Sequence, residues 1–301
     1  MATQAQTSAV ERVLAHFERQ RPLRAGSLIV TVFGDAIAPR GGTLWLGSLL
    51  EIMALFGIEA GLVRTALSRL VQENWFERTR SGKNSFYRLS TEGRTKFAEA
   101  TARIYHAEEP AWDGEVRLAL LGSLAPPERL AARDMLSAAG WGQTAPTVML
   151  KPMTSASGAL PVIEDAIWLT ARIEREADAA RRRAESSWQL APVAQGYARF
   201  IDTFGSLGTR PGPLDDASAF RLRLLLIHEY RRIILRDPLL PRQMLPKDWP
   251  GFEARRLCRQ LYRQTLVRSE SWLDGHAKAM AGPLPAPDAA FKTRFGTSTV
   301  G

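Results

Sequence analysis

Two groups of cations and hydroxyls carry the chemistry most open to reading in this chain. In "GLVRTALSRL", Arg64, Thr65, Ser68 and Arg69 share one flank of a helical period. In "WFERTRSGKNSFYRLS", Arg78, Arg80, Lys83, Asn84 and Arg88 lie along two alternating runs and the turn between them. Guanidinium groups clamp phosphate or donate in pairs to the acceptor edge of guanine, and hydroxyls serve bases or backbone. Duplex nucleic acid is a ligand that suits this set. The plain alternatives are a solvated charged face for the cations and, for Thr65 and Ser68, a bond to a carbonyl one turn back.

The elements that position these groups follow from period and punctuation. "TLWLGSLLEIMALFG" predicts a helix from about Leu44 to Phe56, with Thr43 as N-cap and Gly57 as its stop. A second helix, about Ala60 to Asn74, follows at once, with Leu62, Val63, Ala66, Leu67 and Leu70 as its buried stripe. Two helices joined by three or four residues including a glycine match helix-turn-helix spacing. The period then changes to two around "SGKN", where glycine can take a positive φ, so a basic hairpin is expected. A groove-sized helix beside a basic hairpin is a winged helix-turn-helix. The preceding "RAGSLIVTVFGDAI" is ambiguous. Its run Ile29–Val32 favours a strand, yet Ala25, Leu28, Ile29, Val32 and Ala36 share one helical face.

Composition bounds what else the chain can be. The 301 residues are 45% hydrophobic and 24% charged, as in ordinary globular proteins with more than one core. No apolar run reaches the about 18 residues of a membrane span. The opening "MATQAQTSAVERVLAHFERQ" has no apolar signal-peptide core, and one cysteine, Cys258, suits a reducing cytoplasm. A cytoplasmic location without membrane attachment is expected. The net charge of +9 is uneven: 14 basic against 11 acidic residues in 1–110, 9 against 10 in 111–188, and 17 against 10 in 189–301. Such a balance favours phosphate-bearing partners. No GxSxG, Walker, GxGxxG or HExxH pattern is present. An enzyme is the weaker rival, a protein-binding adaptor the other. No cofactor and no metal site are expected.

Beyond "EEPAWD", a linker, strands in "GEVRLALLGSL" and "APTVMLKP" flank the helix "PPERLAARDMLSAAG". "TSASGAL" reads as a loop, "PVIEDAIWLTARI" as strand or helix, and "EREADAARRRAES" as a polar helix. This alternation suggests a small α/β or ferredoxin-like layer. From Trp188 the chain is helical by period, with Leu222, Leu225, Leu226, Ile227, Tyr230 and Ile234 toward a core. The Pro-rich "RDPLLPRQMLPKDWPG", Arg236 to Gly251, needs tertiary contacts to hold it. The expected organisation is α+β and multidomain. It comprises an N-terminal extension (1–23), a winged helix-turn-helix domain (24–107), a central ferredoxin-like domain (111–187), a mainly helical C-terminal domain (188–283) and a disordered tail (284–301).

"SLIVTVFGD", "RGGTLWLGSLLEIMALFGI", "VRTALSRLV", "SFYRLSTEG", "EEPAWDG" and "HEYRRIILRDPLLPRQMLPKDWPG" together resemble the PaaX family of bacterial regulators of phenylacetate degradation, over Arg24 to about Trp272. The resemblance implies a homodimeric repressor that binds double-stranded operator DNA and leaves it when an aryl-CoA thioester such as phenylacetyl-CoA binds. It also implies that "LIVTVFGD" is the first helix of the winged domain. Glu59–Ala60–Gly61 departs from the family's usual residues before "VRTAL", so no operator sequence carries over. For the effector, arginines suit the phosphates of coenzyme A and an aromatic residue suits its aryl tail. Arg221, Arg223, Arg231, Arg232 and Arg236, with His228 and Trp249, are the candidates. The alternatives are ion pairs for the arginines and a core position for the histidine.

Overall fold

The computed structural model describes residues 2–19, 24–105, 111–154, 160–173, 177–208 and 214–296. Along the chain, helices α1 (Ala2–Arg19) and α2 (Ala25–Val32) lead into a π-helical turn, Phe33–Ile37. Strand β1 (Thr43–Trp45), helices α3 (Leu46–Ala54) and α4 (Ala60–Gln72), strands β2 (Phe76–Ser81) and β3 (Asn84–Leu89), and helix α5 (Thr91–Tyr105) follow. The middle stretch gives β4 (Glu115–Leu120), α6 (Pro126–Ala138), β5 (Gly142–Ala145), β6 (Val148–Pro152), β7 (Ile167–Arg172) and α7 (Ala177–Ser187). Then come α8 (Leu190–Phe204), α9 (Asp216–Ile234), α10 (Gly251–His276), the short pair β8 (Lys278–Ala279) and β9 (Gly282–Pro283), and α11 (Ala289–Lys292). The fold is mixed α+β. No described helix is long and apolar enough to cross a membrane.

The chain forms two compact units: Met1–Ala107 with Arg199–Leu235 and Phe252–Gly301, and Glu108–Ala198 with Arg236–Gly251. In the first, α2 is helical despite its β-branched run because both of its sides are covered. Leu28, Ile29, Thr31 and Val32 are all buried, and tertiary burial outweighs local propensity. Gly26 lets α2 approach α4 closely: a Cβ there would sit 4.0 Å from Ala66 and 3.0 Å from an Arg69 guanidinium nitrogen. Strands β1, β3 and β2 form an antiparallel sheet in that order, with Trp45 opposite Phe86 and Arg78 opposite Tyr87. Helix α1 buries Val10, Val13, Leu14 and Phe17, an i, i+3, i+4, i+7 stripe, with Phe17 5.8 Å from Phe204. Asp215 caps α9 by accepting from the Ser218 N–H at 2.7 Å.

The core of this unit is partly ionic. Asp35 is fully buried and accepts from Tyr105 Oη at 2.6 Å, Tyr262 Oη at 3.1 Å and Arg294 Nη1 at 3.2 Å, and pairs with Arg223 Nε at 2.8 Å. Arg223 also reaches Glu270, which accepts from Arg40 Nη1 at 3.1 Å, and Arg40 pairs with Asp274. Three arginines thus meet three carboxylates. The Arg294 guanidinium lies 4.1 Å over the Tyr105 ring. Burial raises the Tyr105 hydroxyl well above its usual range and the Tyr262 hydroxyl to about 12, so both act as donors.

The second unit has a four-stranded antiparallel sheet, order β5-β6-β4-β7, with Ala132 and Leu136 of α6 against Ala119, Trp141 and Met149. Trp188 lies on the start of β5, where a Cβ on Gly142 would fall 2.5 Å from its indole, and its Nε1 donates to Gly140 O at 3.0 Å. The Pro-rich segment is held by Asp237, which accepts from Tyr197 Oη at 2.7 Å and Leu239 N at 2.8 Å. Trp249 packs edge-on to Tyr197, with centroids 5.9 Å apart.

Several expectations are corrected. Thr43 is not an N-cap: Thr43–Trp45 is a strand because β3 pairs with it, and the helix starts at Leu46. Leu62 is 58% exposed and leaves the buried stripe of α4, which is Val63, Ala66, Leu67 and Leu70. Residues 284–296 are not a disordered tail. They bury Leu284, Phe291, Arg294 and Phe295, since Arg294 is drawn in by Asp35; residues 297–301 of that tail lie outside the described residues. The segment 188–283 is not one body, for its helices α9 and α10 share a core with residues 25–105. Glu108 to Pro110 of the expected linker, and 155–159 of the expected loop, also lie outside the described residues.

Candidate nucleic-acid interface

Helix α4 begins after Glu59 and ends at Gln72, and just beyond it Asn74 takes φ 57° while Trp75 N donates back to Leu70 O at 2.9 Å. That left-handed cap fixes where the hairpin departs. With its apolar side buried, α4 presents Arg64, Thr65, Ser68 and Arg69 to solvent, all four exposed. Arg64 has no ion-pair partner among the described residues, whereas Arg69 Nε lies 3.6 Å from Glu73. Thr65 Oγ1 donates to Gly61 O at 3.0 Å, which is the bland alternative raised for it above.

The hairpin turns through Gly82 and Lys83, with Gly82 at φ 57°, the sign that a two-residue loop needs at its first central position. Arg80, Lys83 and Asn84 are exposed around this tip. Arg78 donates to Ser85 Oγ at 3.2 and 2.7 Å, and Arg88 donates to Glu77 Oε2 at 2.9 and 2.7 Å. The Arg88–Glu77 bonds are exposed and the Arg78–Ser85 bonds part-buried, and both arginines stay exposed. The four helix residues thus share one face, and three of the five hairpin residues share its tip.

The effector candidates do not converge. Arg223 is withdrawn from the set: it is fully buried and engaged by the Asp35 and Glu270 carboxylates and the Asp35 carbonyl at 3.1 Å. Arg232 is exposed and pairs with Glu229 at 3.1 Å, and Arg221 is partly buried. Arg236, exposed, and Trp249, buried, belong to the second compact unit. Only His228 and Arg231 meet, at Thr31: His228 Nδ1 lies 2.9 Å from Thr31 Oγ1, which accepts from Arg231 Nε at 2.7 Å. Burial, then the charges of Arg231 and Arg232, lower the His228 pKa to about 3, so its ring is neutral. Burial, followed by Arg232, lowers Arg231 to about 10, which leaves it charged at neutral pH.

Arg231 lines a cavity of about 280 Å³ between α2, α5 and α9, walled also by Thr31, Trp75, Phe97 and Tyr105. Reasoning from sequence missed this site. Phe97, Ala100, Thr101 and Ile104 recur at helical spacing on α5, a signal that was legible. Their opposition to Arg231 was not.

The PaaX-like protein family matches residues 24–93, and the PaaX-like protein C-terminal domain matches residues 188–275. The transcriptional repressor PaaX of Escherichia coli (strain K12) is 34% identical, over 96% of this chain and 95% of the relative. An uncharacterised protein from Mycobacterium tuberculosis, 23% identical, has a similar fold with a TM-score of 0.58, over 83% of this chain and 99% of that one.

Proposed function

The chain belongs to the PaaX family of transcriptional regulators, and from that membership we propose that it is a DNA-binding repressor of phenylacetate catabolism, released by an aryl-CoA effector such as phenylacetyl-CoA. As a regulator of this family it is not an enzyme. In this reading α3, α4 and the β2–β3 hairpin act as a winged helix-turn-helix, with α4 in the major groove and the hairpin tip on the neighbouring backbone. The sheet β5-β6-β4-β7 with α6 is read as the ferredoxin-like layer. A homodimer on a partly palindromic operator, in the cytoplasm, completes the proposal.

The observation that carries it is the outward presentation of Arg64, Ser68 and Arg69 on a helix whose other side is buried, beside an exposed Lys83 at a hairpin tip. Arg64 donates to base edges, and Lys83 neutralises phosphate. Anisotropy titrations on the protein's own upstream region test this. Arg64→Ala should cost about 1–3 kcal/mol on the cognate site and relax specificity. Lys83→Ala should weaken all duplexes alike and reduce the salt slope by about one. If both variants bind as the parent does, α4 and the hairpin are not the DNA-reading surface. Phenylacetyl-CoA, phenylacetate and free CoA added to the complex identify what releases it.

A further inference from the structure

Three features single out the cavity at Arg231. It is mostly apolar, walled by the rings of Trp75 and Phe97 and by Ile104 and Ile227. At one side stands a guanidinium whose bonds go to Thr31 Oγ1 from Nε, and to Ser27 O at 2.7 Å and Ser27 Oγ at 2.8 Å from Nη2. A guanidinium has five N–H donors. Among the described residues neither donor on Nη1 has a protein acceptor, and no carboxylate pairs with Arg231. A mostly buried cation held in place by hydroxyls and a carbonyl, rather than by an acid, favours an electron-rich ligand atom. Size guides the ligand: about 280 Å³ is at the low end of the about 300–1,000 Å³ of ligand sites and has room for a ring and a short acyl chain.

We propose that this cavity binds the ring and acyl carbon of an aromatic acyl compound, with the ring between Trp75, Phe97 and Ile227 and the acyl oxygen accepting from Arg231 Nη1. This site rests on the aryl-CoA reading above and gives it a place. A free aromatic carboxylate and its thioester share the chemistry, and for a thioester the nucleotide stays outside, past half-buried Lys96 and exposed Glu99. The walls connect to the DNA-facing elements by short paths. Helix α5 follows β3 with only Ser90 between, and α2 packs on α4 through Gly26. A ligand that fits the cavity in one arrangement of α2, α5 and α9 better than in another shifts the population by that difference in affinity.

Isothermal titration of the full chain with phenylacetyl-CoA, phenylacetate and CoA alone tests the assignment, with Arg231→Gln, Arg231→Lys and Ala100→Trp as variants. Ala100 lines the cavity at a half-buried position on α5, where a larger side chain takes up cavity volume. The parent should bind the thioester or the acid and not CoA alone. Ala100→Trp should remove binding, Arg231→Gln should weaken it at least tenfold, and Arg231→Lys should restore part. An unfolding scan of each variant without ligand separates lost binding from lost fold. Equal ligand affinity in the parent, Arg231→Gln and Ala100→Trp overturns the site and leaves the effector reading standing. A parent that binds CoA alone as tightly as the thioester overturns recognition of the ring. A parent that binds operator DNA but neither acyl compound overturns the effector reading, and this site with it.

Discussion

At the scale of single residues, His228 ties acid stability to the polar knot at Thr31. Its ring is neutral in the fold, with a pKa of about 3 against an ordinary 6.5, first because it is buried and then because Arg231 and Arg232 stand near. The unfolded chain takes up a proton below about pH 6.5 that the folded one refuses, so stability is lost as pH falls from there toward 3. At pH 5 this amounts to about 2 kcal/mol. His228→Gln keeps a polar side chain at Thr31 without titrating. Unfolding free energies from urea titrations should therefore fall more between pH 7.5 and 5.0 for the parent than for the variant, by about that amount; parallel declines would mean a solvated or charged ring. Residues differ in how far such roles can be read ahead. The exposed set of α4 follows from a local period, for burying Val63, Ala66, Leu67 and Leu70 leaves Arg64 and Ser68 outside. Asp35 gives no comparable signal. It sits in an apolar helix opening, and its partners Arg223 and Arg294 lie 188 and 259 positions on.

Elements show the same division between local and distant causes. The change from helical to alternating period at Trp75 marks α4 and the hairpin, because both are built from neighbours in sequence. Strand β1 is three residues long and exists through its pairing with β3, some forty residues later, so "TLW" looks like the start of the helix it precedes. Helix α5 has a constraint of its own at Gly93, in its first turn. A Cβ there would lie 2.3 Å from the Trp75 carbonyl oxygen, which also accepts from Ser90 N at 3.1 Å. Alanine in place of glycine favours a helix by about 0.5–1 kcal/mol. Forcing backbone apart in a packed region costs about 1–3 kcal/mol. The clash is with main chain that cannot rotate away, so the second effect wins, and Gly93→Ala should lower stability by about 1–2 kcal/mol in urea titrations. A neutral or stabilising result would show that α5 and Trp75 are not packed this closely.

Over the whole molecule, order along the chain is a poor guide to which residues fold together. Composition divides 301 residues into successive segments, whereas α9, α10 and residues 284–296 share a core with the N-terminal third. The polar, Pro-rich stretch after Gly282 looks unable to bury enough apolar surface for order. What orders it is a charge: Arg294 bonds the Asp35 carboxylate and the Gly34 and Asp35 carbonyls, and Phe291 and Phe295 are buried on either side of it in sequence. Arg40 Nε also donates to Pro285 O at 2.8 Å. Truncation after Pro283 removes one of the two cations on Asp35, exposes the Tyr105 and Tyr262 rings that pack on Phe295, and takes the Arg294 donors from the Gly34 and Asp35 carbonyls, the second of which keeps only Arg223. Breaking a buried ion pair from one side costs about 3–5 kcal/mol, and each lost core phenylalanine a similar amount. Residues 1–283 should therefore be at least about 3 kcal/mol less stable than the full chain in urea. Arg294→Ala in the full chain should show much of the same loss, while the hairpin and the α4 face keep their residues. A truncated chain that unfolds at the parent's midpoint would return the segment to a dispensable appendage and leave Asp35 to Arg223 alone.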